Sequence, residues 1–313
     1  MAPASTVSLP VLTGAPRAPA AFKPVRLLRK HLYIEPTSVC NLHCKMCYSN
    51  VINGKDRKVL TGAVMRDFAR RFVEATEPPV FLYWCGTGEV FLHADFPQLV
   101  NELLEYGTAV EQTIQTNGTT PGRLDEFTSV EKLGFRVSID GHREFHDWHR
   151  GEGTYERSVA FCRKAVDMGS RSVHVRCLLT RGNIDRLDEF EDDLKERIGP
   201  DVTLTLFTIF TNKYLDEARP NSPLINRNSI DDSPAISTAE ARPILQARYG
   251  DRFQLVDEDE AVDNYISLNP YGVYTCCNGI IKVGEPDVDM ETLVQRMIDS
   301  EPQCYACALY PCQ

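Results

Sequence analysis

The sequence lacks a long apolar run and any excess of positive charge. No hydrophobic stretch approaches the roughly 20 residues that cross a bilayer. Acidic residues outnumber basic ones by 44 to 34, and the formal net charge is −10. Nucleic-acid binding needs concentrated Lys and Arg, so a nucleic-acid substrate is not expected. The Ala- and Pro-rich start also lacks the pattern of a secretory signal. We therefore expect a cytoplasmic protein that binds neither nucleic acid nor membrane.

Cysteine, by contrast, is frequent and grouped. Eight of the 11 cysteines fall into two groups, one near the start and one at the end. Disulfides are rare in cytosolic proteins, so ordered cysteine groups favour a metal or redox role. Cys85, Cys162 and Cys177 stand alone in apolar surroundings. Such positions are typical of small buried hydrophobic residues.

Between residues 31 and 210, short apolar runs alternate with amphipathic segments. The predicted strands are residues 31–37, 80–84, 109–115, 135–139, 172–179 and 202–209. The predicted helices are residues 62–75, 96–106, 122–133, 155–168 and 184–198. This repeat predicts an α/β fold in which helices pack on a parallel sheet. Six units are too few for an eightfold barrel, so we expect a partial (β/α)6 barrel with ligand sites at the carboxyl ends of its strands.

After residue 210 the pattern changes. Residues 211–237 are rich in Asn, Pro, Asp and Ser and predict a long loop, which a helix at 238–249 follows. Residues 265–268 and 273–276 predict a hairpin, and residues 290–299 a short helix. The predicted organisation is a disordered arm (1–30), a core barrel (31–210), a substrate-side loop and helix (211–262) and a C-terminal domain (263–313).

The first cysteine group, Cys40, Cys44 and Cys47, directly follows a predicted strand. Three thiolates can ligate three irons of a four-iron cluster and leave the fourth iron open. A structural zinc ion needs a fourth protein ligand, and His43 is the nearby candidate. The spacing also differs from that of bacterial ferredoxins. An iron–sulfur cluster with one open iron is therefore favoured over zinc.

This CxxxCxxC pattern, followed by the aromatic Tyr48, resembles the signature of radical SAM enzymes. In that family the open iron is chelated by the amino and carboxylate groups of S-adenosylmethionine (SAM). One electron from the reduced cluster then cleaves the sulfonium and gives a 5′-deoxyadenosyl radical. The resemblance implies SAM and a [4Fe–4S] cluster as cofactors. It also implies an external one-electron reductant such as flavodoxin or ferredoxin.

A second segment of the family occurs in the expected order. Residues 86–89 (GTGE) follow the second predicted strand, where the family has a GGE motif that holds the SAM amino group. Cys85 and Thr87 depart from the glycine-rich form, and a plain Gly-rich turn is the alternative. The residues that carry the resemblance are Gly86, Gly88 and Glu89.

Two further segments are similar to the SPASM branch of the family. A TNG sequence ends the third strand, and SIDG ends the fourth, followed by HD and RG pairs. The resemblance implies cofactor contacts at these segments, with an arginine on the fifth strand as a further candidate for the same role. The residues concerned are Asn117, Ser138, Asp140, Arg150 and Arg176.

The terminal cysteines supply a second four-thiolate set, which by its chemistry fits either zinc or an iron–sulfur cluster. The resemblance to SPASM and shorter "twitch" extensions implies an auxiliary [4Fe–4S] cluster, the second of the chain. One of the adjacent pair Cys276 and Cys277 suffices as ligand, and neighbouring strand residues face opposite ways. We expect Cys277 to ligate and Cys276 to be a hydrogen-atom donor, or the reverse. The remaining predicted ligands are Cys304, Cys307 and Cys312.

The member of the Cys276 and Cys277 pair that is not needed as a ligand favours epimerisation. A thiol near the substrate radical can return a hydrogen atom from the opposite face. In length and in its single auxiliary cluster, the chain is similar to radical SAM sugar epimerases of antibiotic pathways. The primary prediction is therefore an epimerase of a cationic aminosugar-containing natural product, with the acidic runs at residues 188–193, 231–232 and 257–260 as substrate contacts. The alternatives are a radical SAM dehydrogenase of an aminocyclitol or sugar alcohol, and a peptide-modifying SPASM enzyme. The short segment before residue 32 counts against a leader-binding domain. An iron–sulfur carrier protein is the alternative of a different class.

Overall fold

A computed structural model describes residues 11–12, 30–45, 47, 57–86, 88–208, 236–256, 266–275 and 281–305. The strands are β1 (Val11–Leu12), β2 (His31–Ile34), β3 (Val59–Leu60), β4 (Val80–Trp84), β5 (Val110–Thr116), β6 (Leu133–Ser138), β7 (Ser172–Leu178), β8 (Thr203–Phe207), β9 (Ile266–Asn269), β10 (Gly272–Thr275) and β11 (Ile281–Gly284). The helices are α1 (Gly62–Ala75), α2 (Phe96–Leu103), α3 (Arg143–Arg150), α4 (Thr154–Asp167), α5 (Leu187–Arg197), α6 (Thr238–Tyr249) and α7 (Met290–Tyr305).

The main sheet has nine strands in the order β11-β10-β9-β2-β4-β5-β6-β7-β8. Six of them, β2 and β4 through β8, are parallel and follow one another in chain order. The predicted α/β class with a parallel (β/α)6 arrangement is thereby confirmed. Parallel neighbours need crossover segments, and α1, α2, α4 and α5 lie in such crossovers.

The crossover between β5 and β6 differs from the prediction. The helix predicted at residues 122–133 is wrong, because two short 3-10 turns (Pro121–Glu126 and Val130–Lys132) take its place. The Asn101 side chain donates to the Glu126 carbonyl at 2.9 Å and accepts from the Thr128 backbone N–H at 2.9 Å. This contact from α2 takes the backbone groups that would have continued a helix, and Leu133 begins β6 instead.

The hairpin predicted after residue 264 is present as β9 and β10. It joins the main sheet, since β9 pairs in parallel with β2. Val11–Leu12 lies within the arm predicted to be disordered and pairs in parallel with Val59–Leu60. Among the helices that the structure describes, none combines the length and apolar character of a membrane span.

One face of the parallel sheet is covered by helices. Side chains on that face alternate with partly exposed ones along each strand and pack with the helices in a single core. Trp84 contacts Phe96 of α2, and Phe135 contacts Phe161 of α4, both edge to face. Each such buried side chain stabilises the fold by roughly 1.5–3 kcal/mol. This packing leaves the opposite face of the sheet, the inner face, available for ligands.

The inner face is polar and aromatic and partly exposed. Tyr33 and Tyr83 stack there, with ring centroids 4.7 Å apart. The Arg136 guanidinium lies 4.9 Å from the centre of the Tyr83 ring. Ser138 and Arg176 are register neighbours on β6 and β7 and face the same side. The inner face therefore brings two predicted site residues together.

Candidate active site

The loop that carries the first cysteines follows β2. Its side chains alternate, so that Leu42 and Cys44 are buried while Asn41, His43 and Lys45 are exposed. The Cys47 backbone N–H donates to the Cys44 carbonyl at 3.1 Å and closes a turn. The local sequence therefore directs the polar residues outward and the middle cysteine inward.

The three thiols of this loop are neighbours in a small cluster. Cys44 packs with Leu42 and Leu178, and Cys40 and Cys47 pack against the same group. Burial raises the pKa of the Cys40 thiol to about 11 and that of the Cys44 thiol to about 12. Thiols in such surroundings stay neutral unless a metal ion replaces their protons.

This donor set fits an iron–sulfur cluster better than a lone zinc ion. Sulfur ligands suit both, but the exposed His43 lies on the outer side of the loop. No group of three or more His, Cys, Asp or Glu side chains in the described ranges has metal-ligand geometry. The thiols are therefore gathered in one place without being fixed at ligating distances. Cys40, Cys44 and Cys47 would hold the cluster.

Gly86 and Gly88 let the loop after β4 approach the cysteine loop. A Cβ at Gly88 would lie under 3.0 Å from the carbonyl oxygens of Thr37 and Val39. Gly86 has a φ of 141°, and its Cβ would lie 2.8 Å from the Cβ of Glu35. Side chains at these two positions would push the loops apart. Thr87, between them, lies outside the described residues.

Glu89 joins the two loops and is almost fully buried. Its backbone N–H donates to the Val39 carbonyl at 2.8 Å. Its carboxylate accepts from the Thr116 hydroxyl at 2.6 Å, the Asn117 N–H at 2.8 Å and the Phe91 N–H at 3.3 Å. Burial raises the pKa of Glu89, although these donors oppose the shift. A carboxylate offers about four acceptor sites, so the donors among the described residues leave one of them open.

Asn117 connects the third-strand loop to the cysteines. Its side-chain amide donates to the Asn41 oxygen at 3.0 Å and lies 4.0 Å from the Cys40 sulfur. Asn41 in turn donates to the Thr119 hydroxyl at 2.8 Å. Sequence reasoning did not select Asn41. The signal available was an amide side chain directly after the first cysteine.

Asp140 and Arg150 lie next to each other at the end of β6 and of α3. The Arg150 guanidinium donates two hydrogen bonds to the Asp140 carboxylate, at 2.6 and 3.0 Å. His149, which sequence reasoning also missed, contacts the same carboxylate at 3.0 Å. Burial alone would raise the pKa of Asp140, but Arg150 and His149 hold it far below its usual range. These residues form a buried ion-pair network beside the cysteine loop.

Arg176 lies on the inner face. Its guanidinium stacks over the Phe207 ring at 4.4 Å and donates to the Gln115 side chain at 2.8 Å. Cys85 is partly exposed at the end of β4, and the nearby charges of Glu35, Arg136 and Arg176 act on it. Its surroundings are therefore more polar than the apolar setting that the sequence predicts.

Several predicted residues lie outside the described part of the chain. They are Tyr48, Cys276, Cys277, Cys307 and Cys312. Cys304 belongs to α7, but its side chain also falls outside the described residues. The predicted auxiliary cluster and the predicted hydrogen-atom donor therefore stay predictions.

A family model described as "Radical SAM superfamily" matches residues 34–195, which is just over half of the chain. The matched region contains the cysteine loop and all the loops described above. The chain belongs to the radical SAM superfamily. SAM and [4Fe–4S] clusters are the cofactors of this superfamily, and its SPASM members carry auxiliary clusters. The predicted cofactors are confirmed at this level.

Curated relatives match part of the chain. Mycofactocin maturase MftC of Mycolicibacterium smegmatis is 30% identical over 177 residues, which are 55% of this chain and 43% of MftC. A serine-type anaerobic sulfatase-maturating enzyme of Bacteroides thetaiotaomicron is 29% identical over 130 residues, 38% of this chain and 31% of that enzyme. The chain thus matches less than half the length of these relatives.

Solved structures share the fold. The enzyme anSMEcpe with bound AdoMet superposes with a TM-score of 0.63 at 17% identity, covering 87% of this chain and 78% of that one. Streptococcus suis SuiB bound to the precursor peptide SuiA gives 0.58 at 14% identity, covering 90% and 66%. At these identities the likeness concerns the fold alone.

Replacing Glu89 by glutamine is expected to weaken SAM binding at least about tenfold, because a hydrogen bond to a charged group contributes about 1.5–3 kcal/mol. Iron content should stay unchanged, since the substitution leaves the three thiols in place. Equilibrium binding of SAM to the reconstituted protein measures the effect. Glu131→Gln, at an exposed position, is the matched control. Unchanged affinity in the Glu89 variant would remove this carboxylate from the cofactor site.

Proposed function

We propose that this chain is a SPASM-type radical SAM enzyme that modifies a peptide or protein. The match to mycofactocin maturase MftC carries the proposal, because it extends over 177 residues at 30% identity. A sulfatase-maturating enzyme matches 130 residues of this chain, and SuiB, which shares the fold, binds a precursor peptide. These likenesses favour the peptide-modifying alternative over the sugar epimerase.

The charge of the inner face supports the same choice. Arg136 and Arg176 both project from it, and both act electrostatically on Tyr33 and Cys85. Glu35 supplies an opposing charge near Cys85. Two guanidinium groups on one face of the sheet repel a cationic aminosugar. They suit a substrate with carboxylate or carbonyl oxygens, which a peptide offers in quantity.

Of the acidic runs that the sequence predicts as aminosugar contacts, the one within the described residues provides little unpaired negative charge. Residues 188–193 lie in the N-terminal half of α5, on the side of the sheet that the helices cover. Glu191 pairs with Lys195 and Arg252, each at 2.8 Å, and Glu189 pairs with Arg186 at 2.6 Å. Their charge is therefore largely balanced locally. The other two acidic runs, at 231–232 and 257–260, lie outside the described residues.

When bound, the cluster and SAM supply a 5′-deoxyadenosyl radical that abstracts a hydrogen atom from the substrate. The chain itself would hold the cofactors at the carboxyl ends of β2, β4, β5 and β6. Tyr33, Tyr83 and Arg136 would orient the substrate from the inner face below. Aromatic and guanidinium surfaces bind peptide side chains and backbone without demanding a single shape. The external reductant stays a prediction.

Substrate-dependent formation of 5′-deoxyadenosine tests this proposal. The reconstituted full chain is incubated with SAM, a chemical reductant and, separately, synthetic peptides encoded beside its gene or neomycin as an aminosugar. We expect a peptide to stimulate 5′-deoxyadenosine formation and to change in mass, which mass spectrometry detects. The Cys40→Ala variant is the control for cluster-independent cleavage.

The aminosugar prediction has its own signature in the same assay. An epimerised sugar keeps its mass in ordinary water. In heavy water it gains one deuterium at the inverted carbon, because a thiol donor exchanges with solvent. Stimulation by neomycin with that signature, and none by peptides, would overturn the peptide proposal. A product lighter by two hydrogens would favour the dehydrogenase.

A further inference from the structure

We infer that Asp140 is a positioning residue for the cysteine loop and makes no direct contact with SAM. It fastens the C-terminal end of α3 to the end of β7. The last carbonyls of α3 then hold the loop at Cys44 and Lys45. This inference depends on the superfamily assignment and is independent of the substrate class.

The first step fixes Asp140 itself. Its side chain is fully buried. The Leu178 backbone N–H at the end of β7 donates to its carboxylate at 2.9 Å. Its own backbone N–H donates to the His146 ring at 3.0 Å, and its carbonyl accepts from the Asn183 amide at 3.1 Å. Asp140 is therefore fixed by the end of β7, by His146 in α3 and by Asn183, in addition to its contacts with the last turn of α3.

The second step ties α3 to Asp140. Arg150 donates from Nε to Oδ2 at 2.6 Å and from Nη2 to Oδ1 at 3.0 Å. His149 Nδ1 lies 3.0 Å from Oδ2 and, in the tautomer that donates, completes the set. A bidentate guanidinium–carboxylate pair fixes orientation as well as distance. Both residues belong to the last turn of the helix.

The end of α3 in turn contacts the cysteine loop. The Lys45 backbone N–H donates to the His149 carbonyl at 2.9 Å. The Cys44 sulfur lies 3.9 Å from the Arg150 carbonyl oxygen. The last carbonyls of a helix have no partner within the helix, so they are available to hold this loop. α3 ends at Arg150, and Gly151, which follows it, has a φ of 130°.

The number of hydrogen bonds that the Asp140 carboxylate accepts distinguishes a positioning role from direct contact with the cofactor. A carboxylate has about four acceptor sites. Oδ1 of Asp140 accepts from Leu178 and Arg150, and Oδ2 faces His149 and Arg150. All four sites are thus taken within the protein. Glu89 has three donors among the described residues and keeps one site, so the two buried carboxylates have different roles.

Asp140→Asn in the full chain tests the inference. The amide keeps the shape but places an NH2 group against N–H donors, which releases the end of α3. We expect iron after anaerobic reconstitution to fall by up to about four atoms per chain. Cys44 should react with iodoacetamide about tenfold faster or more before reconstitution, because a buried ion pair has lost its acceptor. SAM affinity of the molecules that retain the cluster should stay unchanged. Glu144→Gln on the same helix, 82% exposed, is the matched control.

The opposite pattern would overturn the inference. Full iron content and unchanged Cys44 alkylation, together with weakened SAM binding, would make Asp140 a cofactor contact. If circular dichroism shows that the Asp140 variant is unfolded, Arg150→Lys decides in its place. Lysine keeps the positive charge but cannot donate both hydrogen bonds. Faster Cys44 alkylation in that variant supports positioning, and an unchanged rate contradicts it.

Discussion

Simultaneous replacement of Cys40, Cys44 and Cys47 by alanine is expected to abolish reductive cleavage of SAM. It should also remove about four iron atoms per chain. The three thiols are the donors gathered at the end of β2, and the described residues around them offer no substitute set. Iron analysis after anaerobic reconstitution and chromatography of 5′-deoxyadenosine measure the two effects.

The iron that remains in this triple variant reports on the terminal cysteines. About four atoms per chain should remain if these cysteines hold an auxiliary [4Fe–4S] cluster. Cys162→Ala is the matched control, because Cys162 is fully buried in α4 within the core. It should keep both the iron and the cleavage activity. About four irons per chain in the unaltered protein would contradict the auxiliary cluster.

Gly88→Ala is expected to disrupt the site without altering any polar group. The added Cβ would lie under 3.0 Å from three backbone atoms, in Thr37, Ser38 and Val39. Backbone cannot rotate away as a side chain can, so the loop after β4 must separate from the cysteine loop. The hydrogen bond from the Glu89 N–H to the Val39 carbonyl is then lost. We expect destabilisation of roughly 1–3 kcal/mol from the overpacking.

Thermal unfolding and iron content together test this second prediction. Gly122→Ala is the control, because a Cβ there would meet nothing within 4 Å and its φ is not positive. The control should unfold at or above the temperature of the unaltered protein, since alanine restricts the unfolded chain. A Gly88→Ala protein with normal stability and full iron content would show that the two loops can separate without consequence.

The strand–helix repeat could be read from the sequence because its signal is local. Each parallel strand carries a buried apolar face, and the family segments follow the strands at the edge where ligands bind. The elements that could not be predicted depend on distant contacts. The helix expected at residues 122–133 is replaced by short turns because Asn101, from another element, takes its backbone groups.

Helix α3 escaped prediction for a different reason. Its buried positions are His146 and His149, so it has no apolar stripe for periodicity to detect. The sequence showed the HD and RG pairs on this segment but gave no sign that Arg150 faces Asp140. In the same way, Asn41 and Asn117 meet only after two loops fold together. Motifs identified these residues, but their partners become neighbours only in the folded chain.

The position of β2 in the sheet affects when the cluster site can be completed during synthesis. This strand leads into Cys40 and lies between β4 and β9. Its contacts on the β9 side include one between Glu35 and Ser267, which are 232 positions apart. During synthesis the cysteine loop leaves the ribosome long before β9, the second neighbour of its strand. Contacts of such long sequence separation form slowly. The site therefore cannot reach its final form until β9 has been synthesised, more than 200 residues after the cysteine loop.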